Sequence, residues 1–157
     1  FGSLEEFAYK DIRELVDLNL TSQMYVVRAF MPSIKAKGGG DVVLMGSEAA
    51  LSGGRYGAVY SATKFAVRGF AQALRHECAA ANVRITIVNP GMVRTKFFDS
   101  LKFEPGADPD NYIEPEDVAS AVCGALSARR GTVVDEINLS PLKRVVRRKT
   151  DDADNWR

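Results

Sequence analysis

Two short apolar runs constrain this chain more than any other feature: Val42-Val43-Leu44-Met45 and the β-branched stretch from Val83 to Val88. The first follows Gly38, Gly39 and Gly40, and the second is ended by Asn89-Pro90-Gly91. Runs this short, apolar rather than alternating and bounded by breakers, predict strands covered on both faces. Between them, residues 59–81 carry Phe65, Ala66, Phe70, Ala73 and Leu74 at helical spacing. Before them, Ile12, Leu15, Val16, Val27, Phe30, Met31 and Ile34 mark a long helix over 11–35, with Pro32 expected to kink or loosen its end. Strands separated by helices of this length pair in parallel through right-handed crossovers, so the expected fold is α/β with a doubly wound parallel sheet.

The remainder extends the same order. Residues 97–111 mix aromatic, Gly, Pro and Asp residues without either period and are expected to form a loop with one short helical turn, placed to act as a lid. Pro115-Glu116-Asp117 is a helix-start signal, with proline at the first position and acids at the positive dipole end, for a helix reaching Ser127. Residues 132–139 are the expected third strand. The basic stretch 143–149, followed by Asp151, Asp152 and Asp154, is expected to be solvated, with 143–157 a frayed tail of a single domain spanning 1–157.

A formal charge of +1 gives no field to recruit nucleic acid or an anionic membrane. Two cysteines far apart, Cys78 and Cys123, indicate neither a metal site nor a disulfide framework, and nothing in the chain has the length of a membrane span. The expected partners are therefore small molecules, with no nucleic acid, no membrane and no metal, in the cytoplasm.

Open α/β sheets bind ligands beyond the carboxyl ends of their strands, which places Ser47 and the segment from Asn89 to Thr95 on the functional rim. The sharpest motif is Tyr60-Ser-Ala-Thr-Lys64, an i, i+4 pair that brings an ammonium to one helix face with a phenol. A phenol ordinarily titrates near 10, and a nearby cation is expected to lower that value, making Tyr60 a general acid/base. Ser47 can hydrogen-bond a substrate oxygen as charge builds on it. Taken singly, Asn19 also suits a polar helix position, Ser47 a turn cap and Pro90-Gly91 plain punctuation. Glu48 is read as a solvated loop carboxylate or a contact for a substrate ammonium, and His76 as a surface residue.

The joint order of Asn19, Ser47, Tyr60, Lys64 and Pro90-Gly91 resembles the short-chain dehydrogenase/reductase family. That resemblance implies the later part of a Rossmann-type fold and an oxidoreductase moving a hydride between NADP or NAD, NADP being favoured, and an alcohol or carbonyl. It implies that Asn19 holds a water linking Lys64 to solvent and that Lys64 bonds the nicotinamide ribose. Ser47 and Tyr60 would contact substrate, and Tyr60, Lys64, Pro90, Gly91, Val93 and Thr95 would frame the cofactor. The glycine-rich phosphate turn of the family is then expected upstream of Phe1, in three further βα units. Phe97-Phe98, Thr95, the Pro115 helix start and the segment from Val134 to Pro141 resemble the NADP-dependent branch acting on 3-hydroxy acids such as serine or allo-threonine. Family members pair two long helices across a two-fold axis, so a homodimer or homotetramer through 11–35 and 59–81 is expected. The alternative is a truncated non-catalytic relative serving as a helix-mediated assembly or binding module.

Overall fold

The computed structural model describes residues 1–149. Its centre is a three-stranded, wholly parallel sheet in the order β1 (Gly40–Met45), β2 (Val83–Pro90), β4 (Glu136–Leu139). The β1/β2 register runs from Gly40 opposite Val83 to Met45 opposite Val88, and β4 joins with Ile87 opposite Glu136 and Pro90 opposite Leu139. Both of these strands therefore end at the same rim, where Ser47 and Gly91 follow.

The two-residue period of β2 sorts its side chains between two layers. Val83, Ile85 and Ile87 join Leu44 on one face and meet Val27 of α2 (Ser22–Ala36) and Val67, Ala71, Leu74 and Cys78 of α3 (Ala58–Cys78). On the other face Arg84 reaches α4 (Pro115–Leu126), where its guanidinium donates to the carbonyls of Leu126 at 3.0 Å and Ala128 at 2.9 Å while its Nε pairs with Asp41 at 2.6 Å. A cation on the last carbonyls of a helix satisfies both their lone pairs and the negative end of the dipole. At the other end of α4, Glu114 and Asp117 form a capping box ahead of Pro115. Across the sheet edge, Arg68 and Gln72 of α3 hold Glu136 of β4, and the Arg68 cation keeps that carboxyl below its usual range.

Several expectations are corrected. The helix predicted over 11–35 is two helices, α1 (Tyr9–Val16) and α2, joined by a π turn at Asp17–Thr21 in which the Ser22 amide reaches back to the Asp17 carbonyl. Pro32 lies within α2 on its exposed side, and the helix continues to Ala36. It ends where Gly38 and Gly39 take φ of 84° and 125°, and a Cβ at Gly39 would lie 2.4 Å from the Asn82 carbonyl oxygen, so that turn needs glycine. The apolar face of α3 is shifted from the one expected: Ser61, Thr63, Val67, Ala71, Leu74 and Cys78 are buried, and Phe65 is 43% exposed. The third strand spans Glu136–Leu139 rather than 132–139, because the chain before it turns around Arg84, which also donates to the Thr132 carbonyl.

The largest correction concerns the loop and the tail. Within 97–111 lies a strand, β3 (Phe103–Pro105), antiparallel to β5 (Val146–Arg148), which belongs to the stretch expected to be frayed. Residues 143–149 are tied down because their cations find acids and carbonyls: Lys143 meets Asp110, Arg147 meets Glu104, and the Lys149 ammonium donates to the Phe98 carbonyl. The rest of the expected tail, 150–157, lies outside the described residues.

Candidate active site

At the rim, β1 gives way to Gly46, whose missing side chain is a steric requirement: a Cβ there would lie 2.1 Å from Asn89 Oδ1. Ser47 follows with extended backbone, and its Oγ accepts the Ala49 amide at 3.2 Å. That bond occupies a lone pair and leaves the hydroxyl hydrogen available to donate. Tyr60 and Lys64 lie on the first turns of α3, both half-buried. The Thr63 hydroxyl donates to the Tyr60 carbonyl at 2.7 Å and accepts the Asn19 side-chain amide at 3.2 Å, so the π turn is fastened to the turn that carries Tyr60.

Beyond β2, the Gly91 amide donates to the Leu139 carbonyl at 2.8 Å. A Cβ on Gly91 would meet Glu48 Oε2 and Pro141 at 3.2 Å, a tight fit that either side chain would have to yield to by a few tenths of an ångström. Val93 then bridges Ile113 in parallel, using the Met92 carbonyl and the Arg94 amide. The Val93 amide and carbonyl stay out of that bridge. Thr95 Oγ1 accepts the Phe97 amide at 3.3 Å and caps the short turn Lys96–Phe98.

These segments enclose a cleft of about 610 Å3, within the usual range for small-molecule sites. Of the residues expected to act, Ser47, Tyr60, Pro90, Gly91, Val93 and Thr95 line it together. Lys64 and Asn19 stand behind its wall: the Lys64 ammonium lies 5.7 Å from the Tyr60 ring centroid and donates to the Met45 carbonyl at 3.2 Å.

That geometry overturns the expected effect of Lys64 on the phenol. Burial pushes Tyr60 above its ordinary value, with the Glu48 charge adding to the rise and the Ser47 hydroxyl opposing it. Burial also lowers Lys64 from the ordinary lysine range. Desolvation disfavours the charged form of each group, and the Lys64 ammonium gives its hydrogen bond to a backbone carbonyl rather than to the phenol. As pH climbs through the ordinary phenol range, the half-buried Tyr60 retains its proton. Titration of the tyrosine ring carbons by NMR is expected to show Tyr60 ionising above the ordinary phenol value; a midpoint at or below that value would contradict the burial account.

The sequence reading missed one wall of the cleft. Phe1, Phe97, Phe98 and Phe103 gather around Tyr60, with ring centroids 5.0 Å apart for Phe1 and Tyr60 and 6.3 Å for Tyr60 and Phe97. Arg144 and Val146, from the segment expected to fray, complete it. Arg144 pairs with Glu48 at 2.5 Å, so Glu48 is an ion-paired residue of the cleft rather than a solvated loop carboxylate. The available signal was the Val145-Val146 pair set between Lys143-Arg144 and Arg147-Arg148, too brief to single out as a strand. His76 is exposed on α3, as expected.

Comparison with known proteins was informative at three levels. The family model described as short chain dehydrogenase matches residues 1–105. An uncharacterized oxidoreductase of Staphylococcus aureus is 30% identical over 141 residues, which are 90% of this chain and 59% of that protein. Among solved structures, an alcohol dehydrogenase from the archaeon Thermococcus sibiricus, complexed with 5-hydroxy-NADP, superposes with a TM-score of 0.80 at 28% identity, covering 92% of this chain and 60% of that one. A serine dehydrogenase from Escherichia coli does so with a TM-score of 0.74 at 25% identity, covering 90% and 58%. The chain thus spans about three fifths of the length of the proteins it matches.

Proposed function

The chain belongs to the short chain dehydrogenase family, and from that premise we propose that it carries the catalytic side of an oxidoreductase that moves a hydride between NADP or NAD and an alcohol or carbonyl. The observation that carries this reading is the convergence of Ser47 and Tyr60 on a cleft whose far wall is the segment from Pro90 to Thr95. When bound, the nicotinamide supplies or accepts the hydride. The residues present fit its reactive end: Gly91 leaves a gap that a Cβ would fill, and the Val93 backbone is not spent on its neighbouring strand. Lys64, one turn after Tyr60, would leave the Met45 carbonyl to hold the ribose, and Thr95 would face the amide and phosphates. The Thermococcus sibiricus neighbour, with its NADP derivative, favours NADP.

In carbonyl reduction the Tyr60 hydroxyl donates its proton to the substrate oxygen as charge gathers there, and the Ser47 hydroxyl donates a hydrogen bond to the same atom. In alcohol oxidation the transfers reverse. The raised phenol keeps Tyr60 in its acid form at neutral pH, which suits reduction, whereas oxidation requires the phenolate and should accelerate as pH rises. The aromatic rings give the reacting atoms an apolar wall, and the loop holding Phe97 and Phe103, clasped by β5, serves as the lid. We take the alcohol to be a 3-hydroxy acid, on the likeness to serine dehydrogenase; a substrate carboxylate would share the Arg144 guanidinium with Glu48, its partner in the cleft. Serine and allo-threonine are the substrates to assay first, and turnover of neither alongside turnover of simple alcohols would move the chain to another branch. Lys64→Met, in the longest polypeptide that carries this sequence, is expected to raise KM for the cofactor and lower kcat together. Unchanged cofactor affinity would remove the ribose role.

We also propose that α2 and α3 form the contact between subunits. Tyr25, Val26 and Phe30 are 71%, 58% and 63% exposed on α2, and nothing lies within 4 Å of a Cβ built on Gly69 of α3, so an apolar, thin surface faces outward. Light scattering should find a homodimer or homotetramer that Gly69→Glu and Ala73→Glu dissociate. A monomer at micromolar concentration, or an oligomer indifferent to both charges, would reject this interface.

A further inference from the structure

Where the π turn widens the helix, backbone carbonyls lose their regular partners and must find others. The Asn19 carbonyl takes the side-chain amide of Gln23 at 2.8 Å. The same Gln23 nitrogen lies 3.4 Å from the carbonyl of Met45, the last residue of β1. Two carbonyl acceptors on one nitrogen fix the orientation of the amide, since the flipped rotamer would set its oxygen against both. The Met45 carbonyl is also the acceptor of the Lys64 ammonium, at 3.2 Å. Gln23 and Lys64 therefore share one oxygen, two residues before Ser47, and Gln23 also holds the Asn19 carbonyl.

We propose that Gln23 is a positioning residue that sets how tightly Lys64 is held on the Met45 carbonyl, its amide standing where a bridging water would otherwise join the π turn to the lysine. An oxygen that already accepts from an amide is a weaker acceptor for a second donor. Gln23 thus loosens the resting bond of Lys64 and leaves the ammonium ready to turn toward a ligand in the cleft. It also keeps the Asn19 carbonyl satisfied, and with it the π turn whose Asn19 side chain fastens Thr63 beside Tyr60. None of this follows from the Tyr60-to-Lys64 spacing, because Gln23 lies on another helix.

The inference rests on the proposed function for its consequence in turnover but not for its geometry, and the test separates the two. Gln23→Met keeps the length of the side chain and removes the donor; Gln23→Ala removes the donor and opens room for water. In the chain itself, the side-chain resonances of Lys64 are titrated by NMR. With methionine, the Met45 carbonyl accepts from the ammonium without a competing donor, the charged form is favoured, and the midpoint should rise. With alanine, a water restores the donor and the midpoint should return toward that of the parent. In the cofactor-loaded enzyme, the pH profile of kcat/KM should move in the same direction for Gln23→Met, and Gln23→Ala should recover most of the lost kcat. A midpoint unmoved in both variants, or moved equally in both, overturns the proposal. So does an equal loss of thermal stability in both with an unshifted pH profile, which marks Gln23 as structural only. Absence of turnover in the parent enzyme would instead overturn the proposed function, leaving the Lys64 titration to decide the role of Gln23.

Discussion

Tyr60→Phe is expected to lower kcat by about 10²- to 10⁴-fold, the usual contribution of a positioned acid or base, with the melting temperature nearly unchanged. The substitution removes one oxygen and leaves the ring. The ring supplies the contacts to Phe1 and Phe97 in the aromatic wall, and Phe fills the same space. The lost hydroxyl stands in the cleft beside Ser47, with a proton to exchange at the substrate oxygen. Because the phenol acts on charge that develops during the reaction, kcat and kcat/KM should fall together while substrate affinity changes little. Steady-state kinetics on the variant, paired with a thermal melt, separates this outcome from simple unfolding. Near-parental turnover in a folded Tyr60→Phe protein would remove Tyr60 from the chemistry.

Ile87→Ala should have the largest effect on stability. Ile87 is fully buried in β2, the central strand of the three described in the parallel sheet, and it packs in the core formed with α2 and α3. Truncation there removes apolar contacts and leaves a cavity between layers that the sheet cannot close, a loss of about 2–5 kcal/mol. The strand also positions Asn89, Pro90 and Gly91, so the variant should lose cofactor affinity as it loses stability. Val26→Ala provides the contrast. Val26 is 58% exposed on α2, and the same kind of truncation there should change the monomer's stability by no more than about 0.5 kcal/mol. Urea unfolding of both variants reads the difference. Equal losses at the two positions would contradict the assignment of the core.

What could be read in the sequence was what short-range physics dictates. β1, β2 and α4 announced themselves through glycine-bounded apolar runs and a proline–acid helix start, and the placement of Ser47 and Gly91 on one rim followed from parallel pairing alone. The features that escaped depend on distant partners. β3 and β5 are three residues each and lie 43 positions apart where Glu104 meets Arg147, so neither carries enough pattern to declare itself, and Val146 and Arg144 entered the cleft unannounced. The π turn at Asp17–Thr21 has no composition of its own; it is held by Gln23 and Thr63 from outside. The electrostatic expectation failed for the same reason. The i, i+4 spacing does place Lys64 near the Tyr60 ring, yet the Met45 carbonyl takes its hydrogen bond and burial governs both groups.

The central claim is that this cleft moves a hydride while Tyr60 moves the proton. Its most direct test is transfer of deuterium from reduced NADP, labelled at the reactive nicotinamide carbon, to a 3-oxo acid or simple ketone, followed by mass spectrometry of the product alcohol. The account predicts label on the carbinol carbon with the parent protein and its near-complete loss with Tyr60→Phe. Absence of label in product formed by the parent, or label undiminished in the variant, would contradict it.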